Sequence, residues 1–140
     1  YTIPLTAVYK PLNTSNIPTL TFNKFTSPSI NAFGLGFGFQ ILDAGLYQVT
    51  ANSSTMPGDD SAMVHFTLFT NIGGTGPDTE TEFQSLCERL NGRYSNQTID
   101  ALLDLPAGSL VYLAMKSDGK DQVTTLQFIS MNIVRIKNSQ

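Results

Sequence analysis

Leu110-Val111-Tyr112-Leu113-Ala114-Met115 is the stretch on which the fold turns. In an extended chain, side chains alternate between two faces. Leu110, Tyr112 and Ala114 therefore form one apolar face and Val111, Leu113 and Met115 form another, and both need cover. The next apolar segment, Thr124 to Ile136, repeats the problem, with Leu126, Phe128 and Val134 on one side and Ile129, Met131 and Ile133 on the other. Between the two lies Ser117-Asp118-Gly119-Lys120, whose Asp-Gly pair favours a tight hairpin. In a two-layer sandwich the opposite sheet covers one face of such strands. The second face meets either a partner subunit or a third layer made by a loop.

Working outward, Gly, Pro, Asn, Asp and Ser clusters recur at short intervals between β-branched and aromatic runs, and no apolar stripe at helical spacing is sustained. The spacing predicts strands over Ile3 to Tyr9, Thr19 to Phe22, Gly36 to Leu42 and Leu46 to Asn52. It predicts further strands over Ala62 to Asn71, Phe83 to Leu90 and Ile99 to Leu105. Pro11, Pro18 and Pro28 remove ladder donors at the breaks, and Asp43-Ala44-Gly45 supplies a turn. Gly73 to Glu82 reads as an acidic, glycine-rich connection. Thr81 to Arg89 carries Phe83, Leu86, Cys87 and Leu90 at a spacing a helix could also use, but is read as strand. The result is an all-β, two-sheet antiparallel sandwich, one domain over residues 1–140.

Composition narrows the function. The chain has 140 residues, enough for one core, and 41% hydrophobic against 14% charged residues leaves a neutral surface of Ser, Thr, Asn and Gly. The net charge of −3 offers no cationic excess for a phosphate backbone, so nucleic acid is excluded as a partner. No apolar run approaches the ~20 residues of a membrane helix, so no membrane insertion is expected. A single cysteine, Cys87, excludes an internal disulfide framework. The first residue is Tyr1 rather than Met and no signal pattern precedes the first strand, so the sequence reads as a mature or excised fragment.

Catalytic chemistry is sparse. His65, the sole histidine, lies in a strand-like run with no nucleophile motif nearby, and Cys87 has no cationic neighbours to activate it. Gly34-Leu35-Gly36-Phe37-Gly38 leads into a strand and lacks the lysine of a nucleotide loop. Asp59-Asp60 and the turn with Asp118 and Asp121 lack the spacing of a calcium loop and read as solvated turns. No catalytic residue, cofactor or metal is expected. Three sequons, at Asn13, Asn52 and Asn96, would carry glycans only in a eukaryotic secretory pathway.

Leu20-Thr21-Phe22-Asn23-Lys24-Phe25, then Phe39 and Gly45-Leu46-Tyr47, resembles the first half of the globular heads of the tumour necrosis factor and complement first-component superfamily. Leu102-Leu103-Asp104-Leu105-Pro106-Ala107-Gly108-Ser109-Leu110-Val111-Tyr112-Leu113 is similar to its leucine-rich strand, tight turn and following strand, and Phe128 to its terminal Phe. Ser109 stands where an Asp usually follows the turn Gly, Phe37 where Gly is common, and Ser130 where the last strand often has Gly.

The resemblance implies a jelly roll assembled as a homotrimer, with Tyr47, Tyr112 and Phe128 lining the axis. On that placement Tyr112→Asp is expected to break assembly. The function expected is an attachment head, extracellular or on a virion, phage or spore surface, recognising a host-surface receptor or glycan. Loop residues Asp59, Asp60, Asn71, Glu80, Asn91 and Arg93 are the candidate ligand contacts. The alternatives are a secreted signalling or recognition head for a protein receptor, and a structural trimerisation cap.

Overall fold

A computed structural model describes residues 2–12, 19–21, 26–30, 37–59, 62–88 and 92–138. Phe22 to Phe25, part of the family-like motif, Asn13 of the first sequon and the glycines at 34 and 36 lie outside the described residues. Among those described, the strands are β1 (Thr2–Leu5), β2 (Lys10–Pro11), β3 (Thr19–Thr21), β4 (Thr26–Ile30), β5 (Phe37–Ile41) and β6 (Gly45–Met56). They continue with β7 (Met63–Asn71), β8 (Thr79–Glu88), β9 (Ser95–Leu105), β10 (Leu110–Asp118) and β11 (Gln122–Asn138).

One sheet runs β1-β11-β6-β9 with β3 also on β11, and the other runs β4-β5-β10-β7-β8 with β2 also on β10. Pairing is antiparallel except for β3 on β11. Most later connections, including β5 to β6, β6 to β7 and β9 to β10, pass from one sheet to the other. This is a jelly roll. The core between the sheets contains Tyr47, Val49, Phe66, Leu68, Val111, Leu113, Met115, Ile129, Met131 and Ile133, all essentially without exposure. Burying each such aliphatic or aromatic side chain stabilises by roughly 1.5–3 kcal/mol.

Several expectations are corrected. The segment Ile3 to Tyr9 is not one strand: β1 pairs with β11, the chain then crosses the sandwich edge, and β2 pairs with β10 in the other sheet. Alternation breaks at this crossing, where Ile3 and Leu5 are buried but Val8 is exposed. The Thr6 hydroxyl accepts the Val8 N–H at 3.2 Å, a local turn that competes with strand. The Asp118-Gly119 turn forms, with Gly119 at φ 108°, yet it joins opposite sheets rather than closing a hairpin. The strand expected over Phe83 to Leu90 is present as β8, but it begins at Thr79, inside the stretch expected to be a connection.

Strands β6 and β9 run on through residues with poor strand propensity. Asn52 to Thr55 pairs with Ser95 to Thr98. The inward Ser53 hydroxyl lies 3.1 Å from Thr55 Oγ1 and donates to Gln97 Oε1 at 3.1 Å, so a satisfied polar network replaces apolar packing there.

Gly38 of β5 is required by close approach. It pairs opposite Tyr112, and a methyl on it would collide with the Val111 carbonyl and stand 2.9 Å from Tyr112 Cβ. Gly38→Ala is expected to lower stability by about 1–3 kcal/mol, read as a reduced urea midpoint. An unchanged midpoint would contradict this packing.

Candidate functional site

The two outer faces of the sandwich differ. On the six-stranded sheet, the crossing between β1 and β2 lays Tyr9 over the strands. Its hydroxyl donates to Glu80 Oε1 at 2.8 Å and lies 3.0 Å from Thr67 Oγ1. Its ring meets Phe69 edge-on at 4.9 Å, and Lys116 Nζ sits 4.6 Å above it. Phe69 in turn stacks on Tyr112 at 5.4 Å, leaving Tyr112 2% exposed. The second apolar face of β10 is therefore covered by the chain's own loop, not by a sister copy.

Burial raises the Tyr112 hydroxyl's pKa well above the usual tyrosine value, and the Asp78 carboxylate adds to the rise. Burial also raises Tyr9, against the lowering effect of its Thr67 hydrogen bond. The folded state thus holds the neutral phenols. Their contribution is full below about pH 10, the unfolded tyrosine pKa, and is lost as pH rises above it. Stability should fall beyond about pH 10, with native tyrosinate absorbance lagging that of the urea-unfolded chain. Coincident titrations would contradict the buried stack.

The outer face of the five-stranded sheet has no such cover among the described residues. A β-bulge between Leu126 and Phe128 decides which residues of β11 stand on it. It turns Leu126 inward with Ile129, Met131 and Ile133 and leaves Phe128 outward with Val134, correcting the expected grouping of Leu126 with Phe128. Leu102 and Val134 flank Gln48 on one rung, at 58% and 44% exposure, with Ile136 exposed nearby. Phe128, opposite Ser54, stands further along the face.

Polar residues, the Asp100 carboxylate among them, fill the middle. Gln48 donates to Asp100 at 3.1 Å, Thr98 donates to Asn52 Oδ1 at 3.1 Å, and Ser54 donates to Gln127 at 2.9 Å. A depression here is lined by Asn52, Asn96, Thr98, Phe128 and Ser130. The sequons at Asn52, within β6, and Asn96, at the start of β9, thus share one patch, so glycans there and assembly through this face exclude each other.

The three expected axis residues separate. Tyr47 is wholly enclosed in the core, its hydroxyl donating to the Asp43 carbonyl. Tyr112 and Phe128 stand on opposite outer faces, so they do not line one axis together. Phe128, 43% exposed, is the one with surface left for a partner. Sequence reasoning missed Tyr9, whose one cue is the turn-forming hydroxyl of Thr6, and Leu102, whose exposure follows from alternation along β9.

The loop candidates also divide. Asp59 is ion-paired with Lys120 at 2.9 Å and Arg93 is exposed, both at the end where β10 finishes. Asn71 and Glu80 lie toward the opposite end, about 27 Å away along β10 at ~3.4 Å per residue. Asp60 and Asn91 lie outside the described residues. At the Asn71 end, Ser109 is buried and its hydroxyl accepts the Gly73 N–H at 2.9 Å. Ser109 thus ties two turns together, beside Gly108 in the left-handed region at φ 87°.

His65 lies between Gln84 and Asp118, 3.4 Å from each. Cys87 is buried, and burial raises its thiol pKa, which keeps it in the less reactive protonated form. Among the described residues no group of three or more His, Cys, Asp or Glu is placed to hold a metal, and no helix is long and apolar enough to cross a membrane.

No protein-family model and no curated protein matches the chain in sequence. Solved structures do match. Eiger TNF from S. frugiperda is 14% identical over 99% of this chain and 96% of its own, with a TM-score of 0.56. Murine APRIL is 10% identical over 74% of this chain and 78% of its own, with a TM-score of 0.50. The fold is that of tumour necrosis factor, as the sequence resemblance implied.

Proposed function

We propose that the chain is a single head domain over residues 1–140, which assembles as a homotrimer and recognises a host-surface receptor or glycan. It is displayed outside the cell or on a virion, phage or spore surface and has no catalytic role. The observation that carries this reading is the asymmetry of the outer faces. Tyr9 covers Phe69 and helps enclose Tyr112 on one, while the other presents Leu102, Phe128, Val134 and Ile136 around a polar centre that includes the Asp100 carboxylate. A face of that character is stabilised by contact with a neighbouring copy, and head-to-tail contacts of this kind close into a ring of three about one axis.

Three copies would repeat one set of loops about an axis, so weak contacts at each protomer combine into firm adhesion. The loops with Asp59 and Arg93 lie at the end away from the last residues of β11, which pair with Gly45. They are the contacts we assign to the ligand. Binding of the purified trimer to cells and to a glycan array tests this, with Arg93→Glu expected to weaken it at least tenfold without changing the mass. A trimer that binds neither would leave the structural cap. The family resemblance supports a second reading, a secreted head that takes a protein receptor between subunits; capture of a soluble receptor without glycan binding would select it.

A further inference from the structure

We propose that the turn between β7 and β8 is a calcium site, formed by Asn71 Oδ1, the Ile72 carbonyl and the Asp78 carboxylate. Asn71 is 4% exposed, and its Oδ1 meets no donor among the described residues. A buried acceptor left in this state is unfavourable, so it calls for a donor or a cation. Its Nδ2 donates to Asp78 Oδ1 at 3.1 Å, which holds the carboxylate beside the same amide. A methyl built on Gly76 would stand 3.3 Å from the Ile72 carbonyl oxygen and 4.0 Å from Asn71 Oδ1, so both oxygens border one small space.

The frame around this space is fixed by the Gly73 hydrogen bond to Ser109 and by the approach of Gly74 to the Gly108 carbonyl. An all-oxygen set with one carboxylate suits a hard divalent cation that keeps several waters, rather than zinc. Asp59, the acidic residue singled out in the sequence, is instead matched by Lys120.

With so few charged ligands, affinity falls in the weak extracellular range, a Kd of about 10⁻⁴–10⁻³ M. The chain has no Trp, so tyrosine alone can sensitise bound terbium, and Tyr112 lies near enough to Asp78 to feel its charge. Calcium at ~10 mM should raise the Tm by roughly 5 °C over the chelated protein. Terbium should give tyrosine-sensitised emission that calcium displaces. Asp78→Asn should abolish both effects, and Tyr112→Phe should remove the emission but keep the calcium shift. Absence of both effects in the wild type would overturn the site and leave a water as the partner of Asn71. Effects that survive Asp78→Asn but vanish with Asp118→Asn would move the ion to the other end and equally overturn it.

Discussion

Tyr112→Asp is expected to unfold the protomer. Tyr112 is 2% exposed, stacked on Phe69 and backed by Gly38 of β5. Truncating a buried aromatic costs about 3–5 kcal/mol, and a carboxylate left unpaired in the same place adds several more. Asp78, whose charge already reaches this site, worsens the cost for an anion. The total rivals the ~5–15 kcal/mol that holds an ordinary domain together. Circular dichroism should show loss of the cooperative urea transition. A variant that stays folded with the wild-type midpoint, but as separate protomers, would instead return Tyr112 to a subunit interface, as the sequence alone suggested.

Val134→Asp should do the reverse and separate protomers that remain folded. Val134 is 44% exposed in the single chain and shares a rung with Leu102 across Gln48. In an assembly closed over this face, each protomer would bury one unpaired carboxylate. The cost is about 2–5 kcal/mol per site, at least a ~30-fold weakening for each. Sedimentation should show the variant as a folded protomer at micromolar concentration, whereas Leu86→Asp on the other sheet, where Leu86 is 52% exposed, should leave the mass unchanged. A trimeric Val134→Asp protein would remove this face from the interface.

The fold was largely legible in the sequence. Strand positions from Gly45 onward follow from alternation and turn residues, and the two apolar faces of β10 were visible at once. What covers the second face was not. Tyr9 reaches it only because the chain crosses between sheets after Leu5, and the one cue is the hydroxyl of Thr6 in a run that otherwise alternates. The bulge in β11 was equally hidden, since one extra residue near Gln127 reverses which apolar residues face out. The polar rungs joining Ser53 to Thr55 with Ser95 to Gln97 lie beyond the strands read from the sequence because their stability comes from partners 40 or more residues away. Of the residues expected in ligand-contacting loops, Asn71 and Glu80 fall instead within β7 and β8, and sequence held nothing about which end of the sandwich each candidate would occupy.

The most direct test of the central claim is the native mass of the purified chain by light scattering at micromolar concentration. The open face of the β11-β6-β9 sheet predicts about 46 kDa, three times the 15.2 kDa protomer. A stable, monodisperse species at 15.2 kDa would contradict it.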